Sequence, residues 1–242
     1  MDNEILQRQA LCPMVDRMLA KRKCAQVGTR RHSRFACHTH AMDPTAETQR
    51  WLERIVIGLG ICPFAKSVFD AKKIRYQVCM PTSVSALLDD VVTELRYLDD
   101  NRETSTTLLI YPEGLESFED YLDVLAAAGD RLVSEGFEGT YQIASFHPDY
   151  VFDGCEVDDA ANLTNRAPYP ILHILREDEM EKVLATHPSP ENIPERNMSV
   201  CRELGHEGID SESSRAETHR TRYSRLLSSS TIRKLRLHVR QQ

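Results

Sequence analysis

The run Thr106-Thr107-Leu108-Leu109-Ile110-Tyr111, closed by Pro112, decides the fold. Beyond its two threonines no polar residue interrupts it. A short apolar run of this kind reads as a strand buried on both faces. Pro112 offers no N–H to a ladder and ends it. Toward the C-terminus, Phe118, Tyr121, Leu122, Leu125, Leu132 and Val133 recur at helical spacing. They predict a helix over about 116–135, with Gly136 suited to the position after its end. Thr140–Phe146 reads as the next strand and stops at His147-Pro148. Toward the N-terminus, Val84, Leu87, Leu88, Val91, Leu95 and Leu98 share one face of a helix over about 84–99. Thr82 or Ser83 can cap it. Ile74–Cys79 precedes it as a strand. Farther out, Trp51, Leu52, Ile55, Val56 and Leu59 mark an amphipathic helix over about 45–58. Asp43 or Thr45 caps that helix, and Pro44 fits its first turn.

Beyond residue 146 the pattern changes. Residues 147–170 show no period and are rich in Asp and Asn. A connection this long inside a compact domain is uncommon and often functional. Ile171–Leu175 reads as a fourth strand. Met180, Val183 and Leu184 mark a short helix, and Ile193, Val200 and Leu204 allow a last one near 191–204. The order predicts an α/β domain, a compact mixed β-sheet of about four strands with helices packed on it. An α+β sandwich is the alternative. No Gly-x-Gly-x-x-Gly follows the first strand, and no phosphate-cradling loop with Lys-Ser/Thr occurs. No cofactor is identified.

The chain has 242 residues and a formal net charge of −7, unevenly spread. Residues 44–205 carry 14 basic and 29 acidic side chains, a net of −15, whereas 1–43 and 206–242 are each at +4. The expected organisation is therefore a basic extension or leader over 1–43, one acidic domain over 44–205, and a basic Ser/Arg-rich tail over 206–242. A short helix near 231–240 fits the tail's Ile232, Leu235 and Val239. Met1 and Met42 both qualify as the native start. An acidic body repels phosphate backbones, so nucleic acid is a poor partner for it. No apolar run approaches the roughly 20 residues of a membrane helix. Seven irregularly spaced cysteines do not form a disulfide framework, and Cys62, Cys79, Cys155 and Cys201 are expected as thiols in a reducing compartment. That compartment is read as the cytoplasm, or as a mitochondrial or other organellar matrix if 1–43 is a leader.

Four motifs carry a resemblance. They are Cys62-Pro63-Phe64-Ala65-Lys66 after a Trp-containing helix, Thr106–Ile110, Ala144-Ser145-Phe146-His147-Pro148-Asp149-Tyr150-Val151-Phe152, and Thr164-Asn165-Arg166-Ala167-Pro168-Tyr169-Pro170 running into Leu172–Glu177. Together, and in this order, they resemble the DUF1415 family of uncharacterised proteins over about 48–205. The resemblance implies no activity. It implies that Cys62, Lys66, His147, Pro148, Asn165, Arg166, His173 and Arg176 stand at characteristic positions. Gly60 departs from the family's usual Asn, and Ala167 from its usual Ser.

The chemistry of these residues suggests candidate roles. Cys62, placed on extended or turn backbone by Pro63, is a candidate nucleophile, and Lys66 a group that would favour its thiolate. His147 closes a strand before a proline and is a candidate base, with Asp149 or Tyr150 orienting it. His173 is a further catalytic candidate. Tyr150, Asn165, Arg166 and Arg176 are candidate substrate-binding groups, the arginines for a carboxylate or phosphate. The bland readings are a buried structural thiol, a histidine anchoring the loop, and arginines paired with local acids. Cys62, His147 and His173 are ligand types that zinc accepts, but scattered in sequence, and the His32, His38, His40 and Cys37 group lies in the extension. The leading expectation is a small-molecule enzyme with a Cys/His pocket for an anionic substrate. The alternative is a non-catalytic binding or adaptor module using the 147–170 loop.

Overall fold

The computed structural model describes residues 43–214. The basic extension, its His/Cys group, and most of the C-terminal tail with its candidate helix lie outside the described residues. Asp43 caps the first helix, α1 (Pro44–Trp51), its carboxylate accepting from the Thr45 N–H at 3.1 Å. The chain then passes without a break into a π-helical turn over Leu52–Ile57. There follow α2 (Ala65–Asp70), β1 (Ile74–Val78), α3 (Val84–Asp100), β2 (Thr106–Ile110), α4 (Phe118–Ser134), β3 (Tyr141–Phe146), β4 (Ile171–Arg176), α5 (Glu177–Leu184) and α6 (Ile193–Ser214). Ser83 and Ser117 cap α3 and α4 through their hydroxyls, each satisfying an N–H that the first turn leaves orphaned.

The four strands form one mixed sheet in the order β1-β2-β4-β3. β1 and β2 run parallel, and β4 is inserted antiparallel between β2 and β3. The α/β reading therefore holds. All five residues of β2 are buried, because helices cover both faces of the sheet. On one face α3 and α4 pack Leu87, Val91, Leu95, Tyr121 and Val124 against Leu109, Leu172 and Ile174. On the other, α1 with its π-turn and α6 pack Leu52, Ile55, Val56 and Cys201 against Leu108, Ile110 and Ile171. Alternate residues of β2 and β4 thus serve two separate cores.

Three elements depart from the sequence expectation. The first helix ends as a π-turn, α2 follows Cys62, and α6 runs ten residues beyond Leu204 to Ser214. Gly205 has φ +64 and ψ 179, which breaks the helical path. The helix resumes because Ile209, 5% exposed, finds a place in the second core. Among the described residues no helix is long and apolar enough to cross a membrane.

Candidate functional site

The 147–170 connection is an ordered structure of its own, built from side chains that replace a regular ladder. A 3₁₀ turn over Ala160–Thr164 sits within it, capped by the Asp159 carboxylate. The Asn165 side chain donates to the Ser145 carbonyl at 3.1 Å, and the His147 N–H donates to the Asn165 carbonyl at 3.2 Å. Arg166 donates from Nε to the Tyr150 carbonyl at 3.1 Å and from a terminal nitrogen to the Val157 carbonyl at 2.8 Å. Asn162, which is fully buried, accepts from the Phe152 N–H and donates to the Glu156 carbonyl. From outside, α6 clasps the loop with a two-pronged ion pair from Arg202 to Asp159 at 2.9 and 2.7 Å.

His147 is fully buried, enclosed by the rings of Phe118 and Tyr121. Its Nδ1 accepts from the Asp149 N–H at 3.0 Å, so the hydrogen sits on Nε2, which donates to the Leu115 carbonyl at 2.9 Å. Burial lowers its pKa, outweighing the raising effects of that carbonyl and of Asp149. Both ring nitrogens are thus held by backbone groups, the arrangement of a loop anchor. Tyr150 is buried beside it and its phenol is pushed up to about 12 by burial. Cys62 belongs to the opposite core, under α1 and α6, while His147 packs on the α4 side. The Cys62–His147 pair expected from the sequence is separated by the sheet.

The remaining candidates are dispersed. Lys66 is half exposed on α2 and paired with Asp70. His173 lies on the Cys62 face of β4, where its Nε2 meets the Thr106 hydroxyl at 2.7 Å. Arg176, 2% exposed, lies at the other end of β4, bonded to the Tyr141 hydroxyl and to the carbonyls of Leu98, Asn101 and Thr104. Among the described residues no three His, Cys, Asp or Glu side chains gather where they could hold a metal ion.

Of the candidate site residues read from the sequence, Arg166 alone lines a cleft of about 420 Å³ between α1, the 163–168 segment and the far half of α6. Arg50 and Arg54 also line it, with Glu47 and Asp210. These two arginines were missed because basic residues on the polar side of an amphipathic helix read as a solvated face. Their four-residue spacing was the available signal. Trp51 forms part of the floor, its indole N–H donating to the Arg166 carbonyl at 2.9 Å and its ring standing edge-on to Phe146. Glu47 accepts from the Tyr169 hydroxyl, and burial together with that carboxylate pushes the Tyr169 phenol up to about 12.

The π-turn begins directly beside this cleft. The N–H of Gly58 donates to the Glu53 carbonyl and that of Ile61 to the Val56 carbonyl, each five residues back. Such wide turns occur disproportionately at functional sites. A Cβ at Gly58 would stand 2.1 Å from the Arg54 carbonyl oxygen. Gly58→Ala is therefore expected to force the turn out of its register and cost about 2 kcal/mol, the range of backbone strain at one residue. Chemical denaturation measures the loss, and an unchanged midpoint would mean that the turn tolerates the methyl. Gly60 follows with φ +66. Glycine adopts such a backbone without steric cost. Arg196 donates to the Gly60 carbonyl at 2.9 Å and Asn197 to that of Ile61 at 2.6 Å, tying the turn to α6.

The comparisons bear on the whole of this unit. No curated protein and no solved structure matches the chain. A family model described as a protein of unknown function, DUF1415, matches residues 43–211. That span contains the sheet, the π-turn, the 147–170 loop and all five charged residues of the cleft, and the chain belongs to the DUF1415 family.

Proposed function

We propose that the domain binds a small molecule bearing a carboxylate or phosphate in the cleft framed by Arg50, Arg54 and Arg166. The observation that supports this reading is that three arginines, Arg50, Arg54 and Arg166, line one cleft of about 420 Å³, in a body at −15 overall. Guanidinium groups recognise oxyanions through paired N–H donors. The cleft lies between separate elements, where ligand sites commonly form. Arg166 is held from behind by the carbonyls of Tyr150 and Val157, so the loop fixes its position.

Binding is preferred to thiol catalysis because His147 has no ring nitrogen left for Cys62, and neither residue lines this cleft. It is preferred to an adaptor role for the loop because α6 covers the loop and clasps it through Arg202 and Asp159. The test is a thermal shift of the full chain with benzoate and with phenyl phosphate, against sodium chloride at equal ionic strength. A specific ligand at a hundred times its Kd adds about 2.7 kcal/mol. The expected result is stabilisation that disappears in the Arg50→Gln/Arg54→Gln double variant. Equal melting in chloride and in both organic anions would overturn the reading.

A further inference from the structure

The cleft has a second property besides its arginines. Three arginines and two acidic residues, Glu47 and Asp210, line it, a formal count of one positive charge. The rest of the lining is apolar and comes from Trp51, Ile55, Leu163, Ala167, Pro168 and Ile209. The two carboxylates are held differently. Glu47 stands on α1 and is engaged by Tyr169. Asp210 stands on the part of α6 beyond the break at Gly205, one residue after Ile209.

Resting on the anion-site reading above, we propose that the cleft selects an amphiphilic monoanion, a single carboxylate or phosphodiester head on an apolar body, and that Asp210 sets the charge it accepts. A head with one negative charge completes the neutrality of the cleft. A phosphate monoester carries nearly two charges above its second pKa near 6, and its additional charge meets the Asp210 and Glu47 carboxylates. The apolar wall makes the body contribute as well. Each buried methylene strengthens binding by about fourfold, so a head alone binds far more weakly than a head with a chain.

Trp51 makes the test direct, because it is the single tryptophan of the chain and lies in the lining. Its fluorescence reports occupation of this cleft. The full chain at pH 8 is titrated with octanoate, octyl phosphate, octan-1-ol and acetate, which share a body or a head and do not absorb with the indole. Octanoate is expected to bind at least about tenfold more tightly than acetate or octan-1-ol, and more tightly than octyl phosphate. In Asp210→Asn, an exposed substitution that gives the cleft a second positive charge, the preference should move by about tenfold toward octyl phosphate, the scale of one charge acting across a partly solvated site. Wild-type protein that prefers octyl phosphate, or a preference that Asp210→Asn leaves unmoved, would overturn the charge rule while the anion site stands. Equal binding of acetate and octanoate would overturn the role of the apolar wall. Silence of Trp51 toward all four ligands in both proteins would remove this inference and, together with a null thermal shift, the anion site itself.

Discussion

Replacing Arg176 with alanine is expected to cost about 4 kcal/mol of folding stability, the largest loss from any single side chain considered. Arg176 is 2% exposed and acts as a hub between β4 and the end of α3. Its guanidinium donates to the carbonyls of Leu98, Asn101 and Thr104 and, at 2.9 Å, to the Tyr141 hydroxyl. The last carbonyls of a helix have no partners within it and carry the negative end of its dipole. A buried cation that reaches the Leu98 and Asn101 carbonyls at once does the work of a C-cap, from the sheet face on which α3 packs. Removing it takes the side-chain donor from the Thr104 carbonyl and leaves the Leu98 and Asn101 carbonyls to the backbone N–H groups of Asn101 and Thr104, at about 1–3 kcal/mol for each polar group left short of a partner away from water. Urea denaturation of Arg176→Ala and Arg176→Lys separates charge from geometry. Lysine keeps the charge but cannot fork, so it should recover less than half of the loss. A loss below about 1 kcal/mol in the alanine variant would contradict this role. An arginine held open for a ligand would give the opposite sign, since removing an unpaired buried charge stabilises the fold.

Arg176 also shows where the sequence was legible. A strand over Ile171–Leu175 was readable from the sequence, and a period of two carried one residue further puts Arg176 on the face away from His173. The partners of Arg176 were not readable. Three of them are backbone carbonyls more than 70 residues away in sequence, and a carbonyl leaves no mark in the side-chain pattern; another is the Tyr141 hydroxyl on the neighbouring strand. The same holds for His147. Its position at a strand end before Pro148 was readable, but the Leu115 carbonyl that fixes its ring was not. The helices α3 and α4 were legible because each carries one unbroken apolar stripe and a serine cap. The π-turn was not, because Ile55, Val56, Ile57, Leu59 and Ile61 are all buried, and so dense a run matches no single period. The far half of α6 was hidden by Gly205, which reads as a stop although Ile209 re-establishes contact with the core beyond it. Among the cleft residues, Arg166 was found because it sits in a motif, whereas Arg50 and Arg54 become neighbours of Arg166 only when the loop folds back over α1.

Acidification from pH 7.5 to pH 5.0 is expected to remove about 2–3 kcal/mol of stability through His173 and His147. Burial lowers both, His173 from an ordinary value of 6.5 to about 4 and His147 also downward. At His173 the cause is burial of the ring, whose Nε2–H donates to the Thr106 hydroxyl in either charge state. At His147, a proton on Nδ1 would face the Asp149 N–H that now donates to it. Above pH 6.5 both rings are neutral in the folded and the unfolded chain, and no penalty arises. As the pH falls through 6.5 the unfolded chain takes up protons that the folded one refuses, and stability is lost progressively until the folded values are reached. A fall from 6.5 to about 4 at one ring corresponds to about 3.4 kcal/mol, reduced here because the window closes at pH 5.0 and His173 is only half-buried. Most carboxylates titrate below this window, so the histidines dominate it. Urea midpoints measured across the range should fall with decreasing pH, and His173→Gln should flatten that dependence by up to one proton. A variant that keeps the wild-type slope would show that His173 takes up its proton freely in the folded protein, which the burial of its ring opposes.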